Sequence, residues 1–115
     1  MLSLPYVDLQ GNNAKGMVSR IAVVAGGGGD VAFYEEADRK GADCLIAGEI
    51  TSKIANDLGR RKQTEIEAYL PSTELAAVGL SHAGSEFLVM KELALFVERQ
   101  LGVSAEAVPE PHWWR

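Results

Sequence analysis

Three short apolar runs, each closed by a loop and separated by helical patterns, constrain this chain more than anything else in it. They are residues 18–25 (VSRIAVVA), 43–47 (DCLIA) and 75–80 (LAAVGL). Continuous apolar runs of this length, rich in β-branched residues, mark strands buried on both faces. What lies between them has a different period. Asp30 is a good N-cap for a helix over 31–40, with Val31, Phe33, Tyr34 and Ala37 on one side and Gly41 closing it. After the second run, Thr51 or Ser52 caps a helix to about Leu58, Gly59 interrupts it, and 60–69 continues as a second helix that Pro71 stops. After the third, Ser85 caps the strongest helix, 86–101, with Phe87, Met90, Leu93, Ala94 and Val97 on one face and Gly102 as terminator. Strands alternating with helices build βαβ units. The expected fold is therefore α/β, a three-layer domain with a mainly parallel sheet flanked by helices, in which the three runs are neighbours.

At 115 residues the chain has the length of one domain, 1–115, with an irregular opening arm over 1–17, a short strand near 105–108 and a tail over 109–115. The formal charge of −5 argues against nucleic acid or an anionic membrane as the main partner. The basic cluster Arg60-Arg61-Lys62 is too short to reverse that. Cys44 is the only cysteine, which excludes an intrachain disulfide and four-cysteine zinc sites, and its apolar surroundings read as a small buried hydrophobe. No apolar run approaches the ~20 residues of a membrane span, and no charged n-region with a long apolar segment opens the chain, so the expected location is cytoplasmic. Trp113 and Trp114 follow Pro109 and Pro111 at the chain end. They read either as a subunit contact or as a segment folded back on its own domain.

In an open α/β sheet, ligands bind at the carboxyl ends of the strands. Three loops leave those ends, and they carry nearly all the residues with chemical potential. Gly26-Gly27-Gly28-Gly29 offers backbone N–H groups beside a helix start, a candidate anion-binding turn. It lacks the Lys-Ser/Thr of a P-loop, and the dinucleotide fingerprint does not fit it, so a tight turn or a close backbone approach is the competing reading. Glu49 ends the second strand, either as a solvated or helix-capping carboxylate or as a group beside a ligand. In Ser81-His82-Ala83-Gly84-Ser85-Glu86 an imidazole stands four residues before a carboxylate. His82 and Glu86 are suitable ligands for Zn, Mn, Fe or Co, and could converge on one point above the sheet. A plain helix start explains the same letters, because a first-turn Glu favours the helix dipole.

RIAVVAGGGGD, then GADCLIAGEI, then LSHAGSE, then a helix ending in LG, resembles in order and spacing the carboxy-terminal half of the Nif-three-like family. The resemblance covers roughly residues 20–102, and the stretch between Gly59 and Thr73 is longer than usual for the family. It implies a dinuclear metal centre, a hexameric ring and, for some members, the label GTP cyclohydrolase 1 type 2. By resemblance His82 and Glu86 are two of the metal ligands, and a carboxylate such as Glu86 is of the kind that can bridge two ions. The family's other ligands, a His-His pair and an Asp, belong to an amino-terminal half. This chain has no His-His, and its second histidine, His112, lies in the tail.

Two functions follow as expectations. The first is a metal-binding, hydrolase-like protein in which two divalent ions (Zn, Fe, Mn or Co) activate water on a small-molecule substrate, with the missing ligands supplied elsewhere. The second is a non-catalytic homo-oligomeric assembly or regulatory module without a complete metal site.

Overall fold

The computed structural model of the protein describes residues 7–12, 16–51 and 55–109. Its elements in order are β1 (Asp8–Gln10), β2 (Ile21–Gly27), α1 (Val31–Arg39), β3 (Cys44–Glu49), α2 (Asp57–Tyr69), a 3-10 turn (Leu70–Ser72), β4 (Ala76–Gly79) and α3 (His82–Leu101). The sheet runs β1-β4-β3-β2. β2, β3 and β4 are parallel neighbours, as the three apolar runs predict, and β1 joins the edge antiparallel to β4. This is a three-layer α/β fold, with α1 and α2 on one face and α3 on the other.

Alternation along β3 assigns the two faces. Leu45 and Ala47 enter the core with Ala77 of β4, Tyr34 and Ala37 of α1, and Ile66 of α2. Cys44, Ile46 and Gly48 point the other way, and Gly48 lies against Ser85 of α3. Cys44 is buried, and that burial pushes its thiol above the ordinary range, the neighbouring Asp43 carboxylate adding to it. Tyr34 is fully buried, and its hydroxyl donates to the Ile50 carbonyl (2.8 Å) while lying 3.1 Å from Gln10 Oε1. It thereby ties α1 to the strand-end loop and to β1. Asp43 fixes the start of β2 through its carboxylate, which accepts from Ser19 N (2.8 Å), Ser19 Oγ (2.6 Å) and Arg20 N (2.8 Å).

Several local expectations are corrected. Part of the irregular opening arm is strand β1, too short and too polar to show a period of its own. α1 starts after Asp30, whose side chain accepts from Ala32 N (3.1 Å), but Phe33 is exposed rather than turned inward. A single helix, α2, replaces the interrupted pair. Asn56 caps it, accepting from Gly59 N (3.0 Å), so Gly59 lies in the first turn, where a glycine costs little, and does not break a helix. No strand forms over 105–108; there the Ala105 N–H turns back to Glu98 Oε1 (3.2 Å) instead of entering a ladder. Ser52 and the tryptophan tail lie outside the described residues.

Candidate metal centre

The helix that carries His82 starts one turn earlier than its sequence suggests. Ser81, buried at the end of β4, is the N-cap, its Oγ accepting from Gly84 N (2.7 Å). His82 is thus the first helical residue, and Glu86 stands one turn on, on the same face. Gly84 is the one residue of α3 classed as buried. A glycine inside the first turn argues against a helix from sequence alone, which is why Ser85 reads as the better cap. Ser85 does something else. Its Oγ accepts from Gly26 N (2.9 Å) and donates to the His82 carbonyl (2.8 Å), joining the end of β2 to the first turn of α3. The sequence signal for this is the second serine, four residues after the first.

The sheet edge and the helix start bring together the residues singled out in the sequence. Glu86 Oε1 is 3.3 Å from His82 Nε2, and Glu49 Oε2 is 3.5 Å from His82 Nδ1. His82 and Glu86 are each about half exposed, while Glu49 is more enclosed. The glycine turn is what lets them meet. Gly26 has a positive φ (70°), and a Cβ there would strike Glu86 Oε1 and lie 3.1 Å from His82 Nε2. On Gly27 a Cβ would be 3.6 Å from the imidazole and 4.0 Å from Glu49 Oε2. The Gly26 N–H is already engaged by Ser85, and two carboxylates flank the turn. At Gly26 and Gly28 the backbone approaches its neighbours closely, and a Cβ on Gly28 would strike Ala47 Cβ and the Glu49 carbonyl oxygen. The basic triplet is occupied elsewhere: Arg60 pairs with Asp57, Arg61 with Glu65 (3.8 Å) and Lys62 with Asp30 (2.8 Å).

The two carboxylates sit at different nitrogens of one imidazole, and those nitrogens point apart. One ion can share His82 Nε2 with Glu86, but it cannot also take Glu49 through Nδ1. Glu49 is instead placed to hold the ring, as a carboxylate commonly does behind a metal-binding histidine. Among the described residues no group of three or more His, Cys, Asp or Glu side chains is arranged to hold a metal ion.

A mainly parallel α/β sheet with a His/Glu cluster at its carboxyl edge defines a class of fold and site. The sequence pattern of the Duf34/NIF3 (NGG1p interacting factor 3) family matches residues 1–110, and the chain belongs to that family. It is 35% identical over 97 residues to a Pyrococcus horikoshii protein named GTP cyclohydrolase 1 type 2 homolog, covering 82% of this chain and 32% of that one. Two crystal structures of Staphylococcus aureus protein SA1388 share the fold. One has a TM-score of 0.65 at 19% identity, covering 97% of this chain and 34% of that one. The other has a TM-score of 0.62 at 18% identity, covering 93% and 33%. The chain thus spans about a third of the length of these relatives. Among the described residues no helix is long and apolar enough to cross a membrane.

Proposed function

We propose that this chain is a divalent-metal-binding protein in which His82 Nε2 and the Glu86 carboxylate are metal donors and Glu49 orients the imidazole. The observation that carries this reading is the His82 ring held between two carboxylates, Glu86 at Nε2 and Glu49 at Nδ1, beside a turn in which a Cβ on Gly26 would strike Glu86. Imidazole and carboxylate donors suit Zn, Fe, Mn or Co. The donor chemistry fits such an ion; the donor number does not, because two are short of the three or four protein ligands of a zinc-type site. The remaining donors of a complete one- or two-ion centre would come from beyond these residues. When bound, a divalent ion acidifies a coordinated water and polarises a hydrolysable bond. The name of the Pyrococcus relative makes a GTP-like small molecule the substrate class to try first.

Titration calorimetry with Zn²⁺ or Mn²⁺ on metal-free protein tests the reading. His82→Ala and Glu86→Ala should each weaken binding at least ~10-fold with unchanged circular dichroism, and Glu49→Gln by roughly 10-fold through ring orientation. Equal affinity in wild type and His82→Ala would sink the assignment. The short donor set favours a second reading, a non-catalytic assembly module. A wild-type chain that takes up no metal under any of these conditions points there.

A further inference from the structure

The register of the sheet explains what the Ser85 hydroxyl is needed for. Val24 pairs with Ala47 and Gly27 with Glu49, so β2 carries two residues, Ala25 and Gly26, where β3 carries only Gly48. Two residues opposite one make a β-bulge, which leaves a residue out of the ladder and bends the strand end. Gly26 has the left-handed φ (70°) that glycine adopts without strain. Its N–H turns away from β3 and donates to Ser85 Oγ at 2.9 Å. Without that acceptor a part-buried backbone donor is left unsatisfied.

A hydroxyl has one donor and two acceptor sites. Ser85 gives its proton to the His82 carbonyl (2.8 Å), so one oxygen holds the bulge on one side and the backbone of His82 on the other. The helix start does not need it, because Ser81 caps α3. Gly48, opposite the bulge, supplies the room: a Cβ there would come within 2.5 Å of Ser85 Oγ. Gly26 in turn backs onto the donor pair, whose Glu86 Oε1 and His82 Nε2 stand 3.3 Å apart. A Cβ on Gly26 would strike that carboxylate oxygen and lie 3.1 Å from that ring nitrogen. The bulge is thus a wall behind both donors. Ser85 fixes how far the wall stands from the helix that carries them.

We propose that Ser85 is a positioning residue of the candidate metal centre, its hydroxyl locking the Gly26 bulge to the first turn of α3 so that His82 and Glu86 are held ready for one ion. It gives no electron pair to the ion itself. The proposal rests on the reading of His82 and Glu86 as metal donors. Alanine at position 85 leaves every donor in place but frees the Gly26 N–H, and the turn can then move against the helix. Removing a group that orients metal ligands typically lowers metal affinity by roughly 10–100-fold.

Zn²⁺ calorimetry and NMR spectra of the metal-free protein, both on the 115-residue chain, test it. Ser85→Ala should weaken Zn²⁺ binding by roughly 10-fold. In the metal-free spectra the Gly26 amide should exchange faster with solvent. The contact between the His82 ring and the Gly27 α-hydrogens, which the 3.6 Å from His82 Cε1 to a Gly27 Cβ position implies, should weaken too. Ser85→Thr keeps the hydroxyl and should restore the affinity and both spectral features. Asp43→Ala removes the hydrogen bonds to Ser19 and Arg20 at the amino ends of the strands. It should lower the unfolding midpoint and leave Zn²⁺ affinity unchanged, which separates positioning from general loss of stability. Wild-type Zn²⁺ affinity in Ser85→Ala overturns the proposal. So does an unchanged Gly26 exchange rate, and so does an equal loss of affinity in Asp43→Ala. A wild type that binds no Zn²⁺ fails the metal reading instead, and the metal-free spectra still decide whether Ser85 holds the ring in place.

Discussion

Replacing Gly48 by alanine adds one methyl group at the point where β2, β3 and α3 meet. The new Cβ would strike the carbonyl oxygen of Gly26 and come within 2.5 Å of Ser85 Oγ. Serine can rotate away, but it then gives up its hydrogen bonds to Gly26 N and the His82 carbonyl. The Gly26 carbonyl is backbone in a strand paired to β3, so relieving that contact separates two strands. Overpacking of this kind costs roughly 1–3 kcal/mol, and the two lost hydrogen bonds, at roughly 0.5 kcal/mol each for partly exposed groups, add about 1 kcal/mol. The expected loss is roughly 2–4 kcal/mol. At about 4 °C per kcal/mol for a chain of this size, the midpoint of thermal unfolding should fall by roughly 8–16 °C, read by circular dichroism. Ser85→Gly in the same chain removes the side-chain part of the clash and leaves the backbone part, so the double variant should stay well below wild type. A Gly48→Ala protein within about 0.5 kcal/mol of wild type, the range of ordinary surface substitutions, would refute the close approach and the reason given for glycine there.

Three further outcomes are expected. Gly26→Ala and Gly41→Ala both place a side chain at a φ of 70° and should each lose about 1–2 kcal/mol in urea unfolding. Only Gly26→Ala should also lose metal binding in calorimetry, because a Cβ at Gly41 meets nothing nearer than Arg20 Nη1 at 3.5 Å. Tyr34→Phe leaves the buried Ile50 carbonyl without the phenol donor and should cost about 1–3 kcal/mol by urea unfolding; a neutral substitution would show that the hydroxyl is dispensable. Lys62 beside Asp30, with the Ala32 N–H, holds the Asp30 carboxyl below its ordinary value of 3.8. The folded pKa is depressed, so this contribution is complete above the unfolded value and fades as pH falls through 3.8 and below. Asp30→Asn should flatten that part of the acid-unfolding curve, and an unchanged curve would remove the pair from the account.

The parallel core of this fold was legible because β2, β3 and β4 are buried on at least one face and flanked by good caps and terminators, Asp30, Gly41 and Gly102 among them. What escaped were elements fixed by partners distant in sequence. β1 has three residues and no period, and exists because β4 offers it an open edge. The start of α3 depends on burial of Gly84, a tertiary effect that overrides helix propensity. At the site, spacing pointed to His82 and Glu86 on one helix face. The opposition of Glu49 and Glu86 across a single ring needed coordinates, since no spacing says which nitrogen a carboxylate reaches. Ser85 was visible as a capping residue but not as the hydroxyl that joins strand to helix.

The pairing of β1 with β4 also has a consequence in time. Leu9 faces Val78 across the sheet, so β1 has no partner in the sheet until β4, much later in the chain, has been made. At the usual 5–20 residues per second, that interval is several seconds, during which the edge of β1 stays open. α1 and β3 can dock meanwhile, and the Tyr34 hydroxyl can find the Ile50 carbonyl, but Gln10 arrives beside Tyr34 only when β4 closes the sheet. Among the described strands, β1 is thus the last to be fixed.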